Sequence, residues 1–151
     1  MNVLRDSTQG GGAPAKKIVT PNAVAKARLF FGCSSETGVS LENQGGWGST
    51  NSHWNRRNMR DDFMSAQGGG IRGMSATTLA VLEDTGYYTI DYANAGATYW
   101  GKNAGCNFLN KKCVDRAWHG TLLVRQQRRR GVHLRPNVHG LLSLRFRKLE
   151  A

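Results

Sequence analysis

The chain has 151 residues, the size of one ordinary domain, with 19 glycines against 3 prolines and 39% apolar residues. That mixture argues against a regular helical bundle and for a loop-rich globular piece, and no apolar run approaches the roughly 20 residues of a membrane span. A formal charge of +11 raises nucleic acid as a partner, but a disproportionate share of it follows Cys113, opposed only by Asp115 and Glu150.

In chain order, residues 1–17 read as a flexible, turn-rich lead around Gln9, Gly10, Gly11, Gly12, Ala13 and Pro14. Thr20 followed by Pro21 predicts a helix over 21–31, with the Thr20 hydroxyl as N-cap. Val24, Ala27 and Phe31 form its inward face, and Gly32 stops it before Cys33. Residues 34–52 read as a loop that needs packing or a disulfide to hold a shape. Gly68, Gly69 and Gly70 make a flexible joint. Ser75 caps a second short helix over 76–85, with Leu79 and Leu82 inward. Residues 87–92 suit a short strand by aromatic and β-branched content. Residues 100–106 look like a turn that closes back on the chain. The whole reads as α+β and loop-rich, dividing near Cys113.

Single residues carry little chemistry by themselves. The histidines His53, His119, His133 and His139 show no i, i+4 pair, and HExxH is absent. The gaps between Cys106, Cys113 and His119 are too wide for a zinc knuckle. Cys33, Cys106 and Cys113 are odd in number, so one stays free or pairs outside the chain; spacing alone does not separate thiols from a disulfide. Taken alone, His53 is a loop histidine packed by Trp54, and Met64 is core filler. Asp61 and Asp62 read as a solvated charge cluster with Arg56, Arg57 and Arg60.

Together the segments say more. FGCSS at 31–35, LENQGG at 41–46, HWNRRNMRDDFM at 53–64, LAVLEDTGYY at 79–88 and WGKNAGCNFLNKKC at 100–113 stand in order at compatible spacing. Over residues 18–113 the chain resembles the leishmanolysin and leishmanolysin-like zinc metallopeptidases, of the metzincin clan. The resemblance implies part of a metzincin-type catalytic unit that hydrolyses peptide bonds through zinc-activated water. His53 would be the third zinc ligand and Met64 the Met-turn methionine beneath the metal. Cys33 would pair with Cys106, and Cys113 with a cysteine of a further C-terminal domain.

The family's HExxH glutamate and its other two zinc histidines have no counterpart in this chain. The resemblance therefore implies a fragment, inactive alone and with zinc binding weak or absent. It would work with an upstream HExxH domain and a downstream cysteine-rich domain, on polypeptide substrates. It implies a cell-surface or secreted protein, although no signal peptide, membrane span or lipid-anchor signal is visible. Residues 114–151 form a basic, acid-poor tail outside the family pattern, of the composition a shifted reading frame yields. The alternative function is binding to nucleic acid or an acidic surface through Arg128, Arg129, Arg130, Arg145, Arg147 and Lys148. The tail has few aromatics to interleave with these charges, which makes nucleic acid the weaker partner.

Overall fold

The computed structural model describes residues 3–10, 12–66, 73–112 and the pair 145–146. Its first element replaces the expected flexible lead. Strand β1 (Leu4–Gln9) and strand β2 (Ala13–Ile18) form an antiparallel hairpin in continuous register from Leu4 opposite Ile18 to Gln9 opposite Ala13. Gly10 and Gly12, read in sequence as signs of flexibility, lie in its turn, with Gly12 at φ 92°. Few residues of this hairpin are strong β-formers, so local propensity gave no sign of it. In the fold its side chains alternate: Ala15 and Lys17 are buried while Lys16 is exposed. Lys17 can be buried because its ammonium meets the equally buried carboxylate of Glu36.

Helix α1 (Pro21–Phe31) follows, as predicted, and Gly32 ends it in the left-handed region at φ 65°. Its inward face is Ala23, Ala27 and Phe31; Val24 is only half-buried. Its cap is not the expected one. The Thr20 hydroxyl makes no capping bond and lies buried without a partner among the described residues. The amides of Asn22 and Ala23 donate instead to the Asp84 carboxylate, at 3.2 and 3.0 Å. Asp84 is the last residue of a later helix, so α1 is capped by a distant part of the chain.

Strand β3 (Val39–Ser40) adds to the hairpin beside β2, giving a small antiparallel sheet in the order β1-β2-β3. A single-turn helix, α2 (Gly46–Ser49), lies in the glycine-rich loop. Helix α3 (Ala76–Asp84) begins at Ser75, whose hydroxyl accepts from the Thr78 amide at 3.2 Å. It buries Thr77, Thr78, Leu79 and Ala80, whereas Leu82 is half-buried. Helices α1 and α3 pack closely, which the fully buried Ala23, Ala27 and Ala80 permit. Strand β4 (Tyr88–Thr89) and a 3₁₀ turn at Tyr92–Asn94 come next. Tyr92 donates to Glu83 at 2.5 Å and lies under the Lys26 ammonium, tying the turn to both helices. Burial first, and the Glu83 bond second, hold its phenol above the ordinary range.

Residues 100–106 do close back. The amides of Asn103 and Gly105 donate to the carbonyls of Phe30 and Phe31 at 2.9 and 2.8 Å. This brings Cys106, at the start of helix α4 (Cys106–Asn110), against Cys33, and the two form a disulfide across 73 positions. Phe108 stacks on Phe31 with centroids 5.8 Å apart and meets Trp100 edge-on. Gly101 sits at φ 81°, and a Cβ there would stand 2.7 Å from the Phe108 ring. The core of Ala23, Ala27, Phe31, Val39, Leu41, Trp54, Met59, Phe108 and Leu109 thus joins α1, β3, the His53 segment and α4 around the disulfide, with Ile18 of β2 and Val81 of α3 packed against it. Strand β5 (Arg145–Phe146) pairs with β4. The remainder of the basic tail and Cys113 lie outside the described residues. No helix among the described residues is long and apolar enough to cross a membrane.

Candidate functional site

His53 lies on the middle one of three short extended segments. On one side the Glu42 amide donates to the His53 carbonyl at 2.9 Å, and the Asn55 amide to the Ser40 carbonyl at 2.9 Å. On the other, the Trp54 amide donates to the Met64 carbonyl at 2.9 Å, and Ala66 donates back to Trp54 at 3.2 Å. Eleven positions apart in sequence, His53 and Met64 therefore stand on neighbouring segments joined by backbone bonds. Both line one hollow of about 210 Å³, walled chiefly by Ile18, Leu41, Trp54, Met74, Val81 and Leu82. His53 is half-buried, with Nδ1 2.9 Å from the Ser52 hydroxyl.

What holds these segments is a carboxylate that sequence reasoning placed in solvent. Asp62 is completely buried. Its Oδ1 accepts from the Met64 amide at 2.7 Å, and its Oδ2 from the Ser75 amide at 3.0 Å. The Thr78 hydroxyl donates to the same carboxylate at 2.8 Å and accepts from the Trp54 indole N–H at 2.7 Å. One line of bonds thus joins the residue after His53, helix α3 and the turn that carries Met64. A buried charge is tolerable when several donors share it.

The neighbouring charges depart from the expected solvated cluster in the same way. Asp61 accepts from the amides of Tyr99 and Trp100 at 2.6 and 3.0 Å. Arg57 donates to the carbonyls of Phe108, Leu109 and Lys111 at the end of α4. Only Arg60 is exposed, set 5.2 Å from the Trp100 ring. Glu42 is buried too, its oxygens taking the amides of Asn43, Gln44 and Arg56 at 3.0 to 3.1 Å. Backbone turns, rather than arginines, satisfy these acids. One signal was available: Asp62 accepts from the amide two residues on, as aspartates do in tight turns.

The leishmanolysin family model of peptidase M8 matches residues 5–127. The chain belongs to the leishmanolysin family. It is 45% identical over 97 residues to a leishmanolysin homolog of Crithidia fasciculata, covering 64% of this chain and 15% of that protein. It is 42% identical over 99 residues to leishmanolysin of Leishmania chagasi, covering 66% of this chain and 16% of that one. A leishmanolysin-like peptidase of Caenorhabditis briggsae is 41% identical over 102 residues, covering 68% of this chain and 15% of the relative. The chain spans about a sixth of the length of these curated relatives. The family match reaches beyond residues 18–113 at both ends, taking in most of the β1–β2 hairpin and the start of the basic tail.

The leishmanolysin family is zinc-dependent, and the described residues do not by themselves fit that metal. Among them no three His, Cys, Asp or Glu side chains stand together as a ligand set, whereas zinc sites use at least three protein ligands. Cys33 and Cys106 are joined in the disulfide, and Asp62 and Glu42 are spent on backbone amides. His53 is left as one imidazole beside a thioether. His119, His133 and His139 lie outside the described residues, as does Cys113.

Proposed function

We propose that this chain is the part of a leishmanolysin-type zinc metallopeptidase that carries the third metal histidine and the Met-turn. The observation that carries the reading is that His53 and Met64 share one hollow in a chain of this family. With Nδ1 held by Ser52, His53 would offer Nε2 to the metal. Met64 would form an apolar floor. The remaining ligands and the general base would come from an HExxH segment, since this sequence contains none. A polypeptide is the substrate of the assembled enzyme, and a cysteine-rich region would supply a partner for Cys113. The disulfide supports a cell-surface or secreted setting, because such bonds persist in oxidising compartments.

The test is a chimera in which residues 18–112 replace the matching segment of the Leishmania chagasi relative. It is expected to cleave casein in a zinc-dependent way, and His53→Ala is expected to lower that activity by more than about 100-fold. The chain by itself is expected to cleave neither casein nor gelatin. Full activity in the His53→Ala chimera would remove His53 from the site.

A further inference from the structure

A second, larger hollow of about 720 Å³ shares no lining residue with the one beside His53. Its wall includes Arg56, Arg57 and Arg60 together with Gln44 and Trp100. We infer that this hollow binds an acidic segment of a polypeptide, with Arg56 and Arg60 as the groups that take its carboxylates.

The reason lies in how folding sorts the charges of NRRNMRDD at 55–62. In sequence the acids and bases nearly balance. In the fold, Asp61 and Asp62 turn to backbone amides and do not line the hollow, while all three arginines do. Glu42 is the acid that does reach the wall, and both its oxygens already accept from amides. Arg57 is fixed on the carbonyls at the end of α4, which leaves its charge in the wall. The ion pairs among the described residues are Lys16 with Asp6 and Lys17 with Glu36, so Arg56 and Arg60 have no acidic partner there. The Arg60 guanidinium carbon stands over the Trp100 ring, 5.2 Å from its centroid, and a guanidinium fork binds a carboxylate in two-point fashion. The indole and the Gln44 amide beside the arginines suit peptide groups as well as charge. The choice of a polypeptide deepens the peptidase reading above, but the binding itself requires no metal.

The experiment uses the full chain with its disulfide intact and a fluorescent Glu-rich peptide, followed by anisotropy at low and physiological salt. The Gln-for-Glu counterpart serves as the neutral control, and heparin as a sulfated competitor. The Glu-rich peptide is expected to bind and its neutral counterpart not. Arg56→Gln with Arg60→Gln is expected to weaken binding about tenfold or more. Arg60→Glu changes an exposed side chain and decides the matter should the double variant lose its native tryptophan emission. A triple variant, Arg128→Gln, Arg129→Gln and Arg130→Gln, measures any share of the basic tail and is expected to bind nearly as wild type. Binding unchanged by the Arg60→Glu variant, lost only in the tail variant, or shown by heparin alone would overturn the proposal. None of these readouts involves His53 or zinc, so this inference and the peptidase reading can fail separately.

Discussion

Asp62 shows what a single residue does in this protein. Its carboxylate is completely buried, yet it has no arginine or lysine partner among the described residues; two amides and the Thr78 hydroxyl share its charge. Replacing it by alanine strands those three donors, and one of them, the Thr78 hydroxyl, is the group that holds the Trp54 indole N–H. Asp62→Ala is therefore expected to cost about 3 kcal/mol, read as a lower urea midpoint by tryptophan emission. Asp61→Ala removes two amide contacts at a half-exposed position and should cost about 1 kcal/mol. Equal losses for the two would show that burial of Asp62 contributes nothing special. In sequence the two aspartates are neighbours of the same type beside the same arginines. Beyond the Met64 amide two positions after Asp62, nothing local tells which one the fold will bury, because the other donors come from residues 75, 78, 99 and 100.

At the level of elements, α1 and α3 were both legible, and their junction was not. Thr20-Pro21 and Ser75 each mark a helix start, and helices begin there. Ser75 caps as its type suggests. Thr20 does not, since Asp84 arrives across the α1–α3 contact and takes the amides of Asn22 and Ala23. Asp84→Ala should then cost about 1 kcal/mol and speed hydrogen exchange at those two amides. Thr20→Val, equal in shape and lacking the unpartnered hydroxyl, should be close to neutral. A large loss in Thr20→Val with none in Asp84→Ala would reverse the assignment. The β1–β2 hairpin escaped prediction for a related reason. Its buried lysine looks polar until Glu36 is placed beside it, and that pairing is a tertiary fact.

Over the whole molecule, the Cys33–Cys106 bond closes a loop of 73 positions around the core and the His53 segment. Constraint of the unfolded chain by such a loop is worth about 4 kcal/mol in the entropy account. Helices of four to eleven residues and strands of two to six offer limited regular structure to compensate. Reduction is expected to lower the unfolding free energy by that amount, read from urea unfolding, and Cys33→Ser with Cys106→Ser to reproduce the loss without a reductant. A reduced chain as stable as the oxidised one would make the bond incidental. The two main helices, the family to which the chain belongs and the segments that carry the family's pattern were legible from the residues alone, because these reside in local spacing and ordered motifs. Which carboxylates are buried, what caps α1, and that His53 and Met64 share a hollow while the arginines line another emerged with the packed fold. Those outcomes depend on donors and walls brought from distant parts of the chain, where the identity of a residue says little about its partners.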